Sequence, residues 1–225
     1  MSRTTVLRPP PHQLDLSAAE HAALWRQRLF EAEAGMTRYL AARADDDVIA
    51  SWIRTRSALF ADLPGDDAGP DGWQAIFFRG QALMERFLVS RFGHEAMREW
   101  AGRNAEVHAL VERDRGGGAR DPIERIARQA ELYGSTYAIG PAGRETATVE
   151  ISHCAIWDYR EQARARGVPL TLRSPCEYCT KSMAANVAAR GYEPVYELLE
   201  HDDGPGCRWT ARARGDRQED GACAA

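Results

Sequence analysis

The chain has 225 residues, 44% of them hydrophobic, and a formal net charge of -4, so it can close a core without external staples and has no general charge attraction for nucleic acid or an anionic membrane. Residues 1 to 16 contain no apolar run of the length a signal or spanning segment needs, so a cytoplasmic protein with no membrane partner is expected. In a reducing compartment its five cysteines point to metal ligation or redox chemistry rather than disulfides.

Residues 1–15 hold Pro9-Pro10-Pro11 without periodicity and read as a flexible leader. Ser17 and Glu20 form a capping box that opens a helix to about Ala44, with Leu24, Leu29, Met36 and Leu40 at helical spacing. Asp45-Asp46-Asp47 caps a second helix through Trp52, Ile53, Leu59 and Phe60, closed by Pro64-Gly65 and Gly69-Pro70. A third begins at Asp71; Trp73, Ile76, Phe77, Leu83, Met84, Phe87 and Leu88 give it a wide apolar face, and Gly93 is its cap. A fourth runs from about His94 to Arg113 and ends in Gly116-Gly117-Gly118. Asp121-Pro122 predicts a fifth, with Asp121 as N-cap, to Tyr133.

After Gly134 the period changes to two. Thr136–Ile139 and Glu145–Ser152 read as a hairpin, Ala155–Ala165 and Pro175–Arg190 as helices, and Val195–Glu200 with Cys207–Ala213 as a second hairpin around the turn from Asp202 to Gly206. Arg160, Arg164 and Arg166 read as a solvated helix face, and the tail from residue 214, with Cys223, as frayed. Helices first and strands later predict an α+β fold, an N-terminal helical layer on a C-terminal antiparallel sheet. Residues 16–213 form one domain, 16–134 helical and 135–213 carrying sheet and cysteines. The wide apolar faces of the third and fourth helices leave room for a homodimer.

Cys154 falls where a strand meets a helix, Cys176 and Cys179 form a C-x2-C step at a helix start, and Cys207 follows a turn. Both helix starts should favour the thiolate. That spacing suits one metal shared by four thiolates, zinc or a 4Fe-4S iron–sulfur cluster, so the four are the expected metal ligands; inert core thiols and a dithiol redox pair are the alternatives. Beside them, His153, Glu177, Tyr178 and His201 are candidate catalytic groups, although His153 should face away from Cys154 and Tyr178 has packing as an equal role. Trp25, Trp52, Trp73 and Trp100 read as core, Trp157 and Trp209 as possible pocket walls.

The succession His153-Cys154, helix, Gly167-Val168-Pro169-Leu170, Cys176-Glu177-Tyr178-Cys179, helix, Gly191-Tyr192, strand, Gly206-Cys207-Arg208-Trp209 resembles the C-terminal part of the L-2-amino-thiazoline-4-carboxylic acid hydrolase-like family. More distantly it is similar to the 4-vinyl reductase type of small-molecule-binding domain, which shares a fold with TRAPP subunits. The likeness spans roughly residues 134 to 213 and leaves the first half unmatched. It implies a metal held at Cys154, Cys176 and Cys179 beside an apolar ligand pocket under a helical layer, with Cys176 where the binding domains can carry an acidic ligand. Two functions are therefore expected: a metal- or iron–sulfur-dependent enzyme, hydrolase or lyase, acting on a small amino-acid-derived or heterocyclic substrate, or a small-molecule-binding sensor with structural zinc.

Overall fold

The computed structural model describes residues 16–214 apart from 66 and 203; the expected leader, the tail and Cys223 lie outside the described residues. Helix α1 (Ala18–Ala41) opens with the expected capping box, in which Ser17 Oγ accepts the Glu20 N–H and Glu20 accepts the Ser17 N–H. It packs against α3 (Pro70–Phe92) and α4 (Ala96–Val111), and α2 (Asp46–Phe60) lies against α1 and α3. Trp25, Leu29, Leu59, Trp73 and Phe77 fill one core of this helical layer; Met36, Tyr39, Trp52, Met84, Leu88, Met97 and Trp100 fill another. Trp25 alone meets Phe77, Phe78 and Tyr133, with ring centroids 5.0, 5.5 and 5.1 Å away, a geometry in which each pair adds about 0.5–1.5 kcal/mol beyond burial.

The second half is built on a four-stranded antiparallel sheet of order β1-β2-β4-β3: β1 (Thr136–Ala142), β2 (Thr146–His153), β3 (Tyr192–His201) and β4 (Gly204–Ala213). Both expected hairpins are present, joined through their second strands. Tyr137, Ala147, Val149, Ile151, Trp209 and Ala211 point to one face, which α5 (Arg120–Tyr133) covers with Ile123, Ile126, Ala127 and Ala130. On the other face Arg208 pairs with Glu150 at 2.8 Å and Glu197 at 3.2 Å. Helix α6 (Ala155–Ala165) follows β2, and α7 (Cys176–Ala189) lies between α4 and β3, bridging the helical layer and the sheet.

Three expectations need correction. Helix α5 starts at Arg120, because the Ala119 N–H is held by Arg144 O at 2.8 Å. Asp121 is therefore not the N-cap; its carboxylate accepts the N–H groups of Arg115 and Gly117, both at 3.1 Å, and folds the glycine loop onto the helix. Strand β4 begins at Gly204, so Cys207 sits inside the strand, paired with Ile151 and Leu198. Gly206 permits this early start: a Cβ there would lie 2.3 Å from Ile151 O. Arg160 is buried, donating to Leu172 O at 2.8 Å, while Arg164 and Arg166 are exposed as expected.

Candidate functional site

The sheet register brings the cysteines together. Ile151 of β2 opposes Cys207 of β4, and as β2 ends the Cys154 N–H donates to Pro205 O at 3.0 Å. Cys154 is thereby tied two residues from Cys207, at the N-cap of α6. The first turn of α7 then lays Cys176 and Cys179, three residues apart and so on one helix face, over the same end of the sheet. The Cys176 N–H donates to Ser174 Oγ at 3.0 Å, and Glu177 accepts the N–H groups of Arg173 and Ser174 at 2.7 and 3.3 Å.

Three of the four thiols are raised, each with a contribution from neighbouring cysteines. Burial first, then Cys207, Cys154 and Cys176, push the Cys179 thiol well above its ordinary value. Burial takes Cys207 up to about 12, with Trp209 opposing. At Cys154 burial also wins, raising the thiol although the N–H groups of Ile156 and Trp157 favour the thiolate. The helix-start advantage expected for Cys154 is thus outweighed by desolvation. As donors the four suit a thiophilic cation, whose charge would reverse these shifts. Among the described residues, however, no three or more histidine, cysteine, aspartate or glutamate side chains stand ready-made as a metal ligand set.

Cys179 also belongs to the wall of a cavity of about 140 Å³ lined by α1, α3, α4, α5, α6, α7 and the loop between the last two. Phe77, Phe78, Tyr133, Tyr159 and Tyr178 give it aromatic walls. Phe78 and Tyr159 stack at 3.6 Å and Tyr178 stacks on Trp100 at 4.5 Å. Into this lining come Arg28, Glu85, Asn104, His108, Arg160 and Asn186, all buried. The Arg28 Nη2 and Arg160 Nε atoms have no hydrogen-bond partner within the protein. Burial raises the Glu85 carboxyl against the opposing pull of Gln81 and Arg160, leaving it closer to a neutral acid than an ordinary glutamate.

Behind Arg28 lies a paired network. Arg28 Nη1 is 2.6 Å from Glu31 and 2.9 Å from Glu112, Arg125 also pairs with Glu112, and His108 joins Asn186 at 2.7 Å and Glu31 at 3.4 Å. Burial pushes the Glu112 carboxyl up, but Arg125 and Arg28 overcome it and hold the group down to about 2. Burial, followed by Arg125, brings His108 down to about 4, so it is neutral near pH 7.

Tyr178 is in the cavity wall, where its hydroxyl receives the Asn104 amide. Glu177 instead closes the loop before α7 and pairs with His94 at 3.1 Å. His153 pairs with Asp158 at 2.6 Å, and its ring lies near Gly204. His201 packs beside Gly206 at the end of β3. Neither histidine lines the cavity, nor do Trp157 and Trp209. Sequence reading missed Arg28, Glu85, His108 and Arg160. The available signal was charge on a stripe that should be apolar: Arg28 lies three residues from Trp25 and four from Ala32, and His108 follows Trp100, Asn104 and Val107 on the buried face of α4.

No family model matches this chain. No curated protein matches it significantly either. Among solved structures it has a partial likeness to the crystal structure of an Fe(II) unliganded H-NOX protein mutant from K. algicida, covering 85% of this chain and 98% of that one at 8% identity and a TM-score of 0.39. A likeness of that size carries nothing about this chain's fold or function. No helix of the described residues is long and apolar enough to cross a membrane.

Proposed function

We propose that this protein is a metal- or iron–sulfur-dependent enzyme that takes a small amino-acid-derived or heterocyclic molecule into the cavity, with hydrolytic ring opening or elimination as the reaction class. The observation that carries this reading is the double membership of Cys179, in the cavity wall and within electrostatic reach of Cys154, Cys176 and Cys207. The volume of about 140 Å³ is close to that of a protein cavity that admits benzene, roughly 150 Å³, so a single-ring ligand is the right size. The aromatic walls suit a planar ring, and the buried arginines of the lining, Arg28 and Arg160, suit an acidic substituent. Glu85, raised by burial, is the group placed to give or take a proton. Cys154, Cys176, Cys179 and Cys207 would hold the zinc ion or 4Fe-4S cluster, which when bound supplies Lewis acidity. The resemblance in the C-terminal third points the same way.

A binding or sensor domain with structural zinc is the second reading, favoured by His108, which is neutral and engaged by Asn186 and Glu31. Metal analysis and an absorption spectrum of anaerobically purified protein test the metal, since zinc is colourless and an iron–sulfur cluster absorbs visible light. Serine at any of the four cysteines should lower metal content and destabilise the sheet half, because ligands from separate segments turn metal binding into folding free energy. Metal-free protein that is fully folded, with all five thiols titratable after unfolding, would remove the metal from the proposal. Turnover of single-ring amino-acid derivatives that is lost in Glu85→Gln while binding persists supports the enzyme; binding with no turnover in the parent protein moves the assignment to the sensor.

A further inference from the structure

On the side of the network away from the cavity, a polar cleft of about 320 Å³ runs between the end of α4, the glycine loop, α5 and the end of α7. Its lining includes five arginines, Arg113, Arg115, Arg125, Arg128 and Arg190. Three carboxylates share it, and each is already engaged. Glu112 is held by Arg28 and Arg125, Asp121 by the N–H groups of Arg115 and Gly117, and Glu124 by Arg120 at 2.5 Å. Arg125 is spent on Glu112, and Arg190 donates to Glu112 O. That leaves Arg113, Arg115 and Arg128, none of which has a carboxylate of the described residues within ion-pair distance.

In a chain of net charge -4, three arginines outside any ion pair of the described residues around one concavity stand out electrostatically, with Glu112 and Glu124 acting on Arg128 only from beyond ion-pair distance. The geometry points to a second binding site here, for a multiply charged oxyanion: pyrophosphate or the phosphate group of a small phosphorylated molecule. The charge count selects the class. A single carboxylate would leave two of the three arginines unneutralised, whereas a phosphate carries close to two charges and a pyrophosphate more, and guanidinium forks match phosphate oxygens bidentately. The volume also has room for more than one phosphate group: at roughly 30 Å³ per water it equals about ten waters. Arg128 supports the same reading, since burial and then Arg115 press its guanidinium below the ordinary value against the pull of Glu112 and Glu124, and a bound anion would offset that penalty.

The test uses the full chain and four salts: sodium pyrophosphate, inorganic phosphate, glucose 6-phosphate, and sodium chloride at matched ionic strength. Thermal unfolding and titration calorimetry read the response. Pyrophosphate is expected to raise the melting temperature beyond the chloride control, and Arg128→Gln to weaken its binding at least tenfold. Arg115→Gln, at an exposed position, repeats the test should Arg128→Gln fold poorly, and it leaves every cysteine in place, so loss of the response there cannot come from metal stripping by pyrophosphate. A larger effect of glucose 6-phosphate than of free phosphate would assign the site to a phosphorylated metabolite. Equal stabilisation by chloride at matched ionic strength, or full affinity in both arginine variants, would overturn the inference.

Discussion

Gly35→Ala places a methyl group where α1 meets α4. Its Cβ would stand 1.6 Å from Asn104 Oδ1, 2.7 Å from Asn104 Cγ and 2.9 Å from Asn104 Cα. The amide can rotate away, but the Cα belongs to the α4 backbone, so the helices must part. Rotating the amide also takes its nitrogen from Tyr178 OH and slackens the cavity wall. Overpacking of this kind costs about 1–3 kcal/mol and an unmade buried hydrogen bond about 1–3 kcal/mol, while alanine in a helix interior returns about 1 kcal/mol. The expected net loss is about 3 kcal/mol, which for a chain of this size lowers Tm by roughly 6–12 °C. Urea unfolding gives the free energy, and near-ultraviolet circular dichroism should show the Trp100–Tyr178 stack loosening. In the double variant Gly35→Ala/Asn104→Ala the two costs should overlap, with a coupling of about 1 kcal/mol or more. A Gly35→Ala protein as stable as the parent, or more so, would refute the close approach and show propensity winning.

Two further outcomes test the buried network. His108 stands at about 4 in the fold against 6.5 unfolded, so the unfolded chain takes up the proton first as pH falls. Its neutral form favours the fold fully above pH 6.5, and that advantage drains away down to about pH 4. Between about pH 7 and pH 5 the loss is about 2 kcal/mol. Glu85, raised by burial, has the opposite sign, so the comparison is with His108→Gln: its stability gap from the parent protein should change by that amount over the range, and a pH-independent gap would deny the histidine its role. Arg28→Met leaves Glu31 and Glu112 with Arg125 as their remaining arginine partner. It should cost about 3–5 kcal/mol in urea unfolding, and a cost below about 1 kcal/mol would mean that water reaches the network.

The helices and both hairpins were legible because each announces itself locally: Ser17 and Glu20 by their spacing, β2 by the alternation of Ala147, Val149 and Ile151. The nearness of Cys154 to the strand carrying Cys207 was legible for a related reason, since Cys154 was placed where a strand of the same sheet ends. What stayed hidden depends on partners far along the chain. Nothing near Arg28 states that Glu112 will neutralise it, and nothing near Glu85 states that Arg160 will be drawn inside from a helix that reads as solvated. Asp121 looked like a cap because the rule for Asp-Pro is local, whereas the Ala119 N–H was claimed by Arg144 from a hairpin loop.

Helix α7 has 14 residues, a rod of about 21 Å. Cys176 and Cys179 occupy its first turn, Ser182, Met183 and Asn186 face the cavity, and Arg190, one residue past its end, reaches the arginine cleft. One short rod packed between α4 and β3 therefore carries a thiol pair, part of the cavity wall and, just past its end, an arginine of the cleft. A ligand at one of these places that tilted the rod would alter the affinity at the others, and by linkage that influence would be mutual and equal in size.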